Sequence, residues 1–68
     1  MSVVLEEVVD RIRVEYLDMP GLRLTAAQTQ RLCGVDTATC EAALQRLVAS
    51  GFLRRDVAGA YIRTDAGA

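Results

Sequence analysis

The stretch Thr25 to Leu53, TAAQTQRLCGVDTATCEAALQRLVASGFL, decides how the rest of the chain is read. It opens with Thr25-x-x-Gln28, the spacing of a capping box, in which a hydroxyl and a side-chain amide satisfy backbone N–H groups that a helix start leaves unpaired. The spacing predicts a helix from Ala26. Gly34 can take the left-handed conformation that ends it, and Asp36, two residues on, suits the N-cap of the next helix. From Cys40 the apolar residues fall at Cys40, Ala43, Leu44 and Leu47, a stripe at helical spacing, and Gly51 stops the helix before Phe52-Leu53. The stretch is therefore a tight pair of helices, the second spanning Asp36 to Ser50 with one buried and one free face.

Working outward, Ser2 can cap a first helix whose Leu5, Val8, Val9, Ile12, Tyr16 and Met19 share a face, with Glu6 and Glu7 toward the positive end of the helix dipole. At about 100° per residue, Val3, Val14 and Leu17 project from the opposite side and are candidate contacts for a homodimer. Scattered surface apolar residues are common and need no function, and that is the simpler reading of these three. Met19-Pro20-Gly21 ends this helix, and Leu22-Arg23-Leu24 alternates as a short strand does. Downstream, Phe52 to Arg55 and Ala60 to Arg63 are two extended runs joined by Asp56-Val57-Ala58-Gly59, a connection of hairpin length. The expected order is α-β-α-α-β-β, mainly α with a small β-hairpin. One domain of 68 residues results, with a core over about 3–64 and a frayed tail at 65–68.

Composition narrows the classes. With 51% hydrophobic residues and three aromatics, the core must be built from Leu, Val, Ile and Ala, which suits a helical domain rather than a disordered segment. The net charge of −1 lacks the basic excess usual in nucleic-acid binders. Its distribution is uneven: residues 1–22 hold two Arg against five acids, residues 23–68 six Arg against four, so the positive charge lies with the helix pair and hairpin. No run of about twenty apolar residues and no leader pattern is present, so a cytoplasmic setting away from the membrane is expected.

Taken together, LTAAQ, LCGVD, AALQRLVASGFL and GAYIRT resemble a winged helix-turn-helix domain, the three-helix fold with a C-terminal hairpin wing common in bacterial transcription regulators. The likeness runs from about Leu5 to Thr64. One position departs from it: Gln30 stands four residues before the turn glycine, where the family carries Ala or another small residue, so a tilted or displaced second helix is expected. The resemblance implies that the helix 36–50 lies in a major groove and that the wing 52–63 touches the backbone. It also implies a small transcription regulator or accessory factor whose partner is double-stranded DNA. Winged helices serve equally as protein-interaction modules, and that alternative, a protein partner without DNA affinity, stays open here.

Carried onto this chain, the family's base-facing positions are Thr37, Ala38, Glu41, Ala42 and Gln45. Gln45 can pair with an adenine edge and Glu41 can accept from cytosine, but no Arg or Lys stands where guanine is read. The phosphate-contact candidates are Arg31, Arg46, Arg54 and Arg55, with Thr25 and Gln28 at a helix N-terminus and Arg23 and Arg63 on the strands. Ordinary solvated or ion-paired surface is the competing reading of each arginine. Cys33 and Cys40 match no metal or redox spacing and face inward, as small buried hydrophobes do. A bridge between them needs Cα atoms under about 7 Å apart. With no His, no nucleophile–base pair and no phosphate loop, neither an enzyme nor a cofactor or metal is expected.

Overall fold

A computed structural model describes residues 3–64, Val3 by its backbone only. The Ser2 cap, the Val3 side-chain contact and the 65–68 tail expected above lie outside the described residues. The chain forms α1 (Val3–Asp18), α2 (Ala26–Cys33), α3 (Thr37–Ala49), β1 (Leu53–Arg55) and β2 (Tyr61–Arg63). It is mainly helical, with one two-stranded antiparallel hairpin. No helix among the described residues is long and apolar enough to cross a membrane.

The core is where the apolar stripes of α1 and α3 meet: Val8, Val9, Ile12 and Tyr16 against Cys40, Ala43, Leu44 and Leu47, closed by Leu53 of β1. Leu5 packs at its edge. Met19, at the right helical spacing to join, is instead 48% exposed. The reason is local: α1 ends at Asp18, and the N–H of Leu22 donates to the carbonyl of Met19 at 3.0 Å, turning the chain away through Pro20-Gly21.

That turn also shortens the expected strand at Leu22-Arg23-Leu24 to an isolated bridge, Leu24 with Tyr61. The Leu22 N–H is occupied in the turn and Thr25 is committed as a helix cap, leaving Leu24 alone to pair. Its N–H donates to the Tyr61 carbonyl at 3.3 Å and its carbonyl accepts from the Tyr61 N–H at 2.7 Å. The same Tyr61 carbonyl accepts the Tyr16 hydroxyl at 2.7 Å.

Both halves of the capping box form: the Gln28 N–H donates to Thr25 Oγ1 at 3.2 Å and the Thr25 N–H to Gln28 Oε1 at 2.9 Å. Gly34 ends α2 in the left-handed region at φ 69°, where any Cβ is strained. Asp36 then caps α3 by accepting from the Thr39 N–H and hydroxyl. Gln30 reaches over this turn and accepts from the Thr37 hydroxyl at 3.2 Å. The fully buried position of α2 is Thr29, whose hydroxyl donates back to the Thr25 carbonyl at 2.9 Å and so satisfies a polar group within the core. At Ala26, α2 meets α3 through its carbonyl, which lies 3.7 Å from Cys40 Sγ.

The end of α3 has the pairing of a Schellman motif, with the Phe52 N–H on the Leu47 carbonyl and the Gly51 N–H on Val48, both at 3.0 Å. This launches β1 directly, in the register Leu53 with Arg63, Arg54 with Ile62 and Arg55 with Tyr61. The hairpin turn is organised by Asp56. Its Oδ1 accepts from the N–H groups of Ala58 and Ala60, each at 2.9 Å, and Gly59 takes φ 87° as the left-handed residue of the turn.

Burial pushes the Tyr16 phenol up from 10.0 to about 12, outweighing the opposing pull of the Leu24 backbone. Below pH 10 the phenol is protonated whether the chain is folded or not. Above it the unfolded chain loses the proton first, so stability falls as pH rises toward about 12, by on the order of 2 kcal/mol. Tyr16→Phe is expected to cost about 1 kcal/mol in urea unfolding at neutral pH and to flatten that alkaline loss. Equal midpoints for the two proteins at neutral and at alkaline pH count against the Tyr16–Tyr61 hydrogen bond.

Candidate functional site

The outward side of α3 follows from what the core takes from it. With Cys40, Ala43, Leu44 and Leu47 buried, Thr37, Ala38, Glu41 and Gln45 are exposed and Ala42 is half-buried. All five expected base-facing residues therefore lie away from the core, although Thr37 is engaged with Gln30. The face carries negative charge. Glu41 is exposed along it, and Asp36 stands at its N-terminal end, its carboxyl held below the usual range first by the Thr39 hydroxyl and then by the Thr39 N–H. An anion approaching the positive end of the α3 dipole meets a carboxylate already there.

The expected phosphate contacts divide. Arg46 is ion-paired to Glu6 of α1 at 2.6 Å, and Arg23 to Asp56 at 2.6 Å. Thr25 and Gln28 use their side-chain oxygens as acceptors in the capping box, which leaves the Thr25 hydroxyl and the Gln28 amide N–H groups as candidate donors to a phosphate. Among the described residues Arg31, Arg54 and Arg55 carry no ion pair, and all three are exposed. Arg63 is half-buried, with its guanidinium 5.1 Å from the centre of the Phe52 ring; Arg13 approaches the same ring at 5.7 Å.

Arg54 and Arg55, paired in the sequence reading as neighbours entering the hairpin, are separated by strand alternation. Arg55 shares the face of buried Leu53 and turns toward α3, whereas Arg54 is on the other face. The Arg55 guanidinium lies over the Tyr61 ring, 5.9 Å from its centre. Between this pair and α3 runs a groove of about 300 Å³ lined by Gln45, Val48, Ala49, Arg55 and Tyr61. Val48 and Tyr61 were not singled out from the sequence. The Tyr61 signal was present in the Asp56–Gly59 turn, which sets the register that brings Tyr61 opposite Arg55.

Of the dimer candidates, Val14 is 59% and Leu17 53% exposed on the outer face of α1. Both cysteines are unbridged thiols, Cys40 buried and Cys33 half-buried on a separate groove of about 230 Å³ with Val4, Glu7, Val8, Arg11 and Val35. Burial raises both thiols, and the nearby Arg11 only partly offsets this at Cys33, so neither is primed as a thiolate. No group of three or more metal-ligating side chains occurs among the described residues. Comparison with protein-family models, with curated proteins and with solved structures finds no match, so the site is read from its own chemistry.

Asp56 has two separable duties, and its carboxyl is held low first by Arg23 and then by the backbone of Ala60. A depressed carboxylate stabilises the fold above the unfolded value near 3.8, and that contribution is lost as pH falls through the lower folded value. Asp56→Asn keeps the turn acceptor but loses the charge; Asp56→Ala loses both. Thermal melts are expected to rank wild type above Asn above Ala at pH 7, with wild type and Asn converging as pH falls below the lowered folded-state value. Equal melting of Asn and Ala at pH 7 means that the turn bonds contribute nothing.

Proposed function

We propose that the chain is a winged helix-turn-helix domain that binds double-stranded DNA through α3 and the β1–β2 hairpin, as a small bacterial transcription regulator or accessory factor. The observation that carries this reading is the joining of α3 and the hairpin into one surface by Gln45 and Arg55, with Arg55 free of any carboxylate among the described residues. The capped turn between α2 and α3 and the hairpin that follows α3 support the same assignment. Two unbridged thiols suit a reducing, cytoplasmic setting.

The chemistry points to backbone-dominated binding of limited sequence selectivity. Gln45 is the one exposed α3 side chain suited to a bidentate base contact, to adenine, and no cation stands on that face to read guanine. A second reading is favoured by Asp36, Glu41 and the Arg46–Glu6 pair, which lower the positive potential around α3. Under it, the face of small residues at Ala38, Ala42 and Ala49 docks a protein partner instead. Self-association through Val14 and Leu17 of α1 is compatible with either.

Titration of generic duplex DNA in about 50 mM and about 200 mM salt separates the two: phosphate contact predicts affinity falling steeply with salt, and no binding at the lower salt removes the DNA reading. Arg55→Ala is expected to weaken binding more than Arg54→Ala, because only Arg55 faces α3. Equal effects would place the DNA elsewhere on the hairpin. Light scattering across concentrations tests the dimer: a mass that stays at one chain throughout removes any role of Val14 and Leu17 in pairing.

A further inference from the structure

The groove between α3 and the hairpin combines three features that small-molecule sites share: concavity, an apolar floor and a few placed polar groups. Its volume of about 300 Å³ is at the lower end of the usual range for such sites. Val48, 40% exposed, and Ala49 supply hydrocarbon from α3, and the Tyr61 ring supplies the opposite wall. At the rim the exposed Arg55 guanidinium lies over the Tyr61 ring, 5.9 Å from its centre. No ion pair occupies it among the described residues.

We propose that this groove binds a small apolar carboxylate, with the carboxylate on Arg55 and Gln45 and the hydrocarbon on Val48, Ala49 and Tyr61. A planar guanidinium matches the two oxygens of a carboxylate with parallel hydrogen bonds, and the exposed Gln45 amide adds a further donor on the α3 side. The apolar floor discriminates against bare inorganic anions, which gain nothing from Val48 or Tyr61. The groove between α1 and the α2–α3 turn lacks this selectivity: its Arg11 is paired to Glu15, and Glu7 lines the same wall. Binding of the carboxylate stands apart from the DNA reading, since it needs no nucleic acid and survives if duplex does not bind.

The test is a titration of the full ¹⁵N-labelled chain with 4-phenylbutyrate, and in parallel with 4-phenylbutyramide and inorganic phosphate, followed by amide chemical shifts. Saturable shifts centred on Gln45, Val48, Ala49, Arg55 and Tyr61, with the carboxylate binding about tenfold tighter than the amide, are expected. Arg55→Gln should lower carboxylate affinity about tenfold, and Val48→Ser should weaken it without altering charge. Equal affinity for the amide reduces the groove to a neutral apolar contact, and equal affinity for phosphate to a general anion site. Either outcome overturns the proposal, as do shifts centred elsewhere or none by about 10 mM ligand.

Discussion

The carbonyl of Tyr61 accepts two hydrogen bonds, from the Tyr16 phenol at 2.7 Å and from the Leu24 N–H at 3.3 Å, and through this oxygen three distant parts of the chain are tied. Tyr16 is the last core residue of α1, Leu24 lies just before the α2 cap, and Tyr61 opens β2. The hairpin on its own is two strands of three residues, too short to be stable alone. Its position relative to α3 is therefore set by the Leu53 plug in the core, by the Leu24 bridge and by the Tyr16 tether. A chain of this size has little spare core, so a buried polar bond that fixes orientation matters as much as the area around it.

From that placement follows the charge pattern of the surface. Arg23 turns to the hairpin because Asp56 organises the turn there, and Arg46 turns to Glu6 because α1 and α3 pack side by side. Exposed pairs of this kind contribute little to stability, but they decide which cations stay available to a partner. Arg55 stays available: its guanidinium lies over the Tyr61 ring and makes no ion pair among the described residues. The face formed by α3 and the hairpin thus sets the Arg55 cation beside an apolar groove and the Asp36 and Glu41 carboxylates along α3, rather than a broad basic field.

Much of the scaffold could be read along the chain because its signals are local. The Thr25/Gln28 box, the left-handed Gly34, the Asp36 cap and the stop at Gly51 each act within a few residues, and each forms as the residue types require. The apolar stripes of α1 and α3 were legible for the same reason, since helical periodicity is a property of neighbours. Thr29 escaped notice because a threonine in a helix usually reads as surface, yet a bond to the carbonyl four residues earlier lets it be buried.

What the sequence by itself determined is thus the set of helices, the caps of α2 and α3 and most of the residues that turn inward, because hydrogen-bond spacing and periodicity fix these at short range. Only the tertiary structure decided that Leu22-Arg23-Leu24 would contribute a single bridge, that Met19 would be left outside the core, that Arg54 and Arg55 would part, and that Arg46 would be taken by Glu6. Each of these depends on which distant segment arrives at a given side chain. A carboxylate forty positions away in the chain is invisible to any local pattern, and in the folded molecule it lies at hydrogen-bonding distance.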